Sequence, residues 1–84
     1  MLKKSLGKQI YRYRKQRKLS QEKLAELSDY SVDFISLVER GHYSPSVEGC
    51  ARIAQALQIK LKTLFDIEID PELSKKLSKT KKKP

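Results

Sequence analysis

His42 and Cys50 are the single histidine and the single cysteine among 84 residues. One thiol makes neither an intrachain disulfide nor a cysteine zinc cluster, and one imidazole makes no His-rich metal site. Catalysis by proton transfer or nucleophilic attack needs convergent groups. His42 has no nucleophile or acid at a meaningful spacing, the carboxylates are scattered, and the serines stand at helix starts. These residues point away from an enzyme and call for no cofactor. Cys50 reads as core, and His42 as an exposed loop residue or a phosphate neighbour. The remaining chemistry is ionic. Residues 1–21 carry eight basic groups and no acid, and residues 74–84 carry six lysines and no acid. Residues 22–73 hold five basic and ten acidic side chains, so the net charge of +9 gathers at the two ends. Clustered positive charge draws polyanions, nucleic acid first and anionic membrane second. No amphipathic apolar face accompanies the lysines, which disfavours a membrane surface. One stretch sits oddly with nucleic acid. "SVDFISLVERG" offers Val32, Asp33, Phe34 and Leu37 where a base reader would carry Arg, Gln or Asn.

Helices must position these groups. Leu2, Leu6, Ile10 and Tyr13 recur at helical spacing and give one stripe on a first helix, which Leu19 closes. Ser20 is an N-cap for a second helix of two turns carrying Leu24, Ala25 and Leu27. Ser28 and Asp29 make the turn. Ser31 caps a third helix that Asp33 favours at its start and Gly41 ends as a C′ glycine. Pro45 stops any earlier helix. Ser46 caps a fourth, with Val47, Cys50, Ala51, Ala54 and Leu57 along one side and Ile53 beside them. Gly49 weakens its first turn by up to about 1 kcal/mol relative to Ala. "KLKTLF" reads as a short closing helix. "FDIEID" alternates as a short extended segment would. "DPEL" signals a short helix over 71–78 before a Lys-rich tail. The expected organisation is one domain over 1–69 and a tail over 70–84. No apolar run approaches the roughly 20 residues of a membrane span, and no signal-peptide block follows the basic start. The expected compartment is therefore the cytoplasm.

Two short helices joined by three or four residues, the second opened by a Ser cap, describe a helix-turn-helix. "LSQEKLA", "ISLVERG" and "PS" followed by "IAQALQI" stand in that order. From about Leu6 to Phe65 the chain resembles the Cro/repressor-type, lambda-repressor-like (XRE-family) helix-turn-helix domains. The resemblance implies an all-α fold. Five helices form a compact body, the second crosses the DNA backbone and the third enters the major groove. It implies that Gln21, at the start of the second helix, touches phosphate. It also implies that Arg14 pairs with Glu39 and fixes the first helix against the third. The family usually has Gly where this chain has Asp29, and often has Gly where it has Gln58. Asp tolerates the left-handed conformation better than most residues, so the turn survives.

On a wheel of about 100° per residue, Ile35 and Val38 point to the core. Phe34 and Glu39 flank them, and Asp33, Ser36, Leu37 and Arg40 face outward. By the resemblance, the positions that reach base edges are Ser31, Val32, Asp33, Ser36 and Leu37, with Phe34 against a sugar or partly in the core. Val32 and Leu37 suit the thymine methyl, and Asp33 can accept from cytosine N4. A bidentate Arg–guanine or Gln–adenine pair, worth about 1–3 kcal/mol of discrimination, is missing. Affinity should then lean on phosphate contacts from Gln21, Lys23, Arg40, Tyr43 and a first-helix cation, Arg12 or Lys8. Sequence preference should come partly from DNA shape. A backbone-reading monomer binds weakly, so a homodimer on an inverted repeat is expected. Leu61, Phe65, Ile67 and Ile69 are its candidate interface, unless they fold back on their own domain. The competing class is a protein-interaction module, such as an antitoxin that masks a protein partner. The apolar, acidic face of the third helix is its best support.

Overall fold

Serine hydroxyls start the three middle helices. The computed structural model describes residues 2–66. They form α1 (Leu2–Gln16), α2 (Gln21–Ser28), α3 (Val32–Glu39), α4 (Val47–Ala56) and α5 (Leu61–Leu64). Ser20 Oγ accepts from the Lys23 N–H at 3.0 Å, Ser31 Oγ from Phe34 at 3.1 Å, and Ser46 Oγ from Gly49 at 3.0 Å. Each such cap is worth about 1 kcal/mol.

The helix ends share one device. Lys18, Asp29, Gly41 and Gln58 adopt left-handed backbone, at φ 58°, 63°, 83° and 61°. At the end of α3 the His42 N–H donates to the Leu37 carbonyl at 2.9 Å and Gly41 to Val38 at 3.0 Å. At the end of α4, Ile59 donates to Ala54 and Gln58 to Gln55, both at 3.0 Å. These paired bonds satisfy carbonyls that a helix end otherwise orphans. Glycine takes this conformation freely, whereas a side chain there costs about 1 kcal/mol. Leu19, Tyr30 and Ile59, each following a non-glycine residue of this kind, pack against the core and offset that cost.

The core comprises Leu6 and Ile10 of α1, Leu24 and Ala25 of α2, Ile35 and Val38 of α3, Cys50, Ile53 and Ala54 of α4, then Leu57 and Leu64. Gly7 lets α1 and α3 touch. A methyl group there would collide with the Val38 carbonyl and lie 2.9 Å from that of Glu39. The periodicity chose some apolar residues wrongly. Val47 and Ala51 share the side of α4 assigned to the core, yet both are exposed, as are Leu2 and Leu27. In an eight- or ten-residue helix the apolar arc is wider than the surface a neighbour covers. Packing therefore selects part of it. Ser28, read as turn, is the last residue of α2 and fully buried, its hydroxyl donating to the Leu24 carbonyl at 2.7 Å.

The expected extended segment beyond Asp66, the helix over 71–78 and the Lys-rich tail lie outside the described residues, as do Ile67 and Ile69. Among the described residues no helix is long and apolar enough to cross a membrane. Nor do three or more His, Cys, Asp or Glu side chains gather there as a metal site.

Candidate nucleic-acid interface

Residues 29–31 join α2 to α3, and the turn hinges on the left-handed Asp29. The Tyr30 N–H donates to the Ala25 carbonyl at 2.9 Å, which closes α2 before Ser31 opens α3. This two-helix unit is held from behind by a buried ion pair. Arg14 Nε donates to Glu39 Oε2 at 2.6 Å and Arg14 Nη2 to Glu39 Oε1 at 3.1 Å. Both side chains are more than nine-tenths buried. Arg14 Nη1 also donates to the Leu19 carbonyl at 2.8 Å, so one guanidinium ties α3 to the end of α1. Gln21 joins the cluster, its amide donating to Glu39 Oε1 at 3.0 Å. Gln21 thus sits in the first turn of α2 with its side chain oriented by α3.

The outer flank of α3 carries the residues expected to face bases. Ser31, Val32 and Asp33 are exposed, while Phe34, Ser36 and Leu37 are half-buried. Exposure is greatest at the N-terminal end, where free N–H groups also favour an anion. Arg40 and Tyr43 are exposed beyond the other end, and Lys23 is exposed on α2 beside Glu26, 3.4 Å away.

The two first-helix candidates are exposed on α1. Arg12 Nη1 donates to Gln9 Oε1 at 3.4 Å, and the Gln9 amide reaches the Thr63 and Asp66 carbonyls at 3.4 and 3.2 Å. Arg12 therefore leans to the α5 side of α1, and Lys8, four residues earlier, shares its outward face. On the α3 side lie Gly7, Arg14 and Tyr11, with Arg14 and Lys15 over the Tyr11 ring at 5.3 and 5.9 Å. Arg17, another cation of the first segment, is spent on structure. It donates to the Leu57 and Gln58 carbonyls at 2.8 and 3.1 Å, where its charge suits the C-terminus of α4.

Four side chains that the sequence does not show together form a column along α3. Arg52 of α4 lies 4.9 Å from the Tyr30 ring centre. Tyr30 lies 4.6 Å from Phe34, and Phe34 6.2 Å from Tyr43 with its ring 25° from parallel. The signal available in the sequence was Tyr30 itself. An apolar residue just before a Ser cap often packs against the first turns of the helix that follows. Phe34 is consequently held between two rings. Cys50 is buried, and desolvation pushes its thiol above the ordinary value, which suits packing rather than reactivity. Leu61 packs against the chain's own core, while Phe65 remains exposed.

The chain is similar to known proteins. The family model HTH_3, helix-turn-helix, matches residues 10–64. Over 64 residues the chain is 38% identical to the HTH-type transcriptional regulator SlrR of Bacillus subtilis, covering 75% of this chain and 42% of SlrR. It is 34% identical to the immunity repressor protein of Bacillus phage phi105, covering 76% and 44%. The chain thus spans less than half the length of these two curated relatives. Among solved structures, the restriction-modification controller protein C.AhdI of Aeromonas hydrophila superposes with TM-score 0.73 at 33% identity, covering 75% of this chain and 96% of that one. The capped helix pair, the buried Arg14–Glu39 tie and these matches lead to one statement of identity: the chain belongs to the HTH_3, XRE-type helix-turn-helix family.

Proposed function

We propose that this chain is a double-stranded-DNA-binding transcriptional regulator of the repressor or restriction-modification controller type. It binds an inverted-repeat operator as a dimer, with α3 in the major groove. The carrying observation is the Ser31-capped α3, locked from behind by Arg14 and Glu39 and exposed along its N-terminal flank. Val32 and Leu37 meet thymine methyls, Asp33 accepts from cytosine N4, and Ser31 and Ser36 serve base edges or phosphate. Gln21, Lys23, Arg40, Tyr43 and a first-helix cation, Arg12 or Lys8, supply the backbone contacts. Phe34, held in its column, contributes an edge rather than a free ring. Exposed Phe65 and half-buried Leu61, at the two ends of α5, belong to the dimer contact together with Ile67 and Ile69.

Selection of bound duplexes from a random pool tests this reading. It should return a palindrome whose half-sites centre about 10 bp apart. Leu37→Ala should change the preferred bases and leave the fold intact. If its binding to every sequence is unchanged, α3 is not the reader. A second reading has one observation in its favour: the α3 flank offers exposed Val32 and Asp33 and none of the usual bidentate side chains. In that reading the scaffold binds a protein, as an antitoxin does. Salt separates the two, because binding through several phosphates weakens steeply between 50 and 200 mM salt and an apolar protein contact does not.

A further inference from the structure

We infer that Tyr30 is a positioning residue for base reading, acting through Phe34 and Tyr43 without touching DNA; this rests on the reading of α3 as the DNA-facing helix. The column draws on four parts of the fold. Arg52 comes from α4, Tyr30 from the α2–α3 turn, Phe34 from α3, and Tyr43 from the loop between α3 and α4.

Its inner end is fixed. Arg52 Nε donates to the Ser28 carbonyl at 2.9 Å while the guanidinium covers the Tyr30 ring. The tip of that ring reaches Gly49, where an added methyl group would collide with the Tyr30 hydroxyl and lie 3.2 Å from the Pro45 side chain. Glycine at position 49 weakens α4 locally. It also makes the room that Tyr30 occupies. Pro45 precedes the Ser46 cap, so the same ring abuts the end of the loop that carries Tyr43.

The outer end is the functional one. Tyr43 is half exposed, and nearly parallel packing on Phe34 sets where its hydroxyl points. Phe34 touches the Tyr30 ring on one side and the Tyr43 ring on the other, so Tyr30 is the support against which both the N-terminal half of α3 and Tyr43 are seated. Stacked aromatics hold such geometry with few rotatable bonds. A reader without bidentate base contacts depends on the pose of weak ones, and a small displacement of the helix costs it discrimination before it costs phosphate attraction.

The test compares Tyr30→Leu and Tyr30→Phe in the full chain. Fluorescence anisotropy gives affinity for the duplex that the wild-type chain selects and for a scrambled duplex, at one salt concentration. Tyr30→Leu should lower the selected-to-scrambled ratio by about tenfold, within the range of couplings between contacting residues. Its affinity for the scrambled duplex should stay within twofold, and Tyr30→Phe, which keeps the stacked ring, should retain the ratio. If circular dichroism shows Tyr30→Leu unfolded, Arg52→Gln replaces it with the same readout. Loss of both affinities in parallel, or an unchanged ratio, overturns the inference. A wild-type chain that selects no duplex sinks the underlying reading as well, whereas selection with an unmoved ratio sinks the positioning role alone.

Discussion

Glu39→Gln should unfold this protein far more readily than its size of change suggests. The substitution keeps the shape and removes the charge. Glu39 accepts from Arg14 Nε, Arg14 Nη2 and Gln21 Nε2. With an amide at position 39, at least one of these donors faces an N–H group, and a guanidinium that is less than a tenth exposed loses its counter-charge. Breaking a buried pair by removing one partner costs about 3–5 kcal/mol. Arg14 keeps its bond to the Leu19 carbonyl, and Gln21 is half-buried and can turn to water, so the lower end applies. At roughly 0.05–0.15 kcal/mol per residue, a body of this length has only about 3–10 kcal/mol in total. The urea midpoint, followed by far-UV circular dichroism, should fall by about 3 M, given a slope near 1 kcal/mol/M for a small domain. The double variant Arg14→Met with Glu39→Leu should recover at least half of that loss, because it buries no unpaired charge. A Glu39→Gln midpoint within 0.5 M of wild type, at unchanged slope, would refute the argument that the buried charge needs its partner. Failure of the double variant to recover would show that shape, not charge, holds α1 to α3.

Three further outcomes follow from the same geometry. Gly7→Ala should lower the melting temperature by about 10 °C, because the collision with the Val38 carbonyl outweighs a helix-propensity gain of about 1 kcal/mol; a rise would show that the α1–α3 contact gives way freely. Gln58→Gly should raise stability by about 0.5–1 kcal/mol in urea titration, since glycine removes the strain at φ 61° and returns only part of it as chain entropy. Cys50 should react with a thiol reagent only as fast as the chain opens. Burial raises its folded pKa, so its contribution to stability is whole below the unfolded value of about 8.5 and is lost as pH climbs through the folded one. Labelling at the rate of a free thiol in native buffer would contradict that placement.

Local chemistry was legible in the residues themselves. Ser20, Ser31 and Ser46 announce helix starts because a short hydroxyl satisfies the N–H three residues on, and that bond involves nothing distant. Gly41 announces an end for a similar reason. Asp29 takes the left-handed turn conformation, as the tolerance of its short polar side chain suggested. Leu6, Ile10, Ile35, Val38, Cys50, Ile53, Ala54 and Leu57 recur at helical spacing and are buried.

Only the tertiary structure decided which part of each apolar arc meets a neighbour. It leaves Val47, Ala51 and Leu27 outside and draws Ser28 in. The Arg14–Glu39 pair was expected from the resemblance, but only the fold decided where two other cations of the first segment go: Arg17 to the end of α4 and Arg12 toward α5. It also assembled the column of Arg52, Tyr30, Phe34 and Tyr43, whose order in space is not their order along the chain. Periodicity fixes directions around one helix axis. The position of one axis against another depends on close approaches such as Gly7 on α3 and Gly49 on Tyr30, which a one-dimensional pattern does not encode.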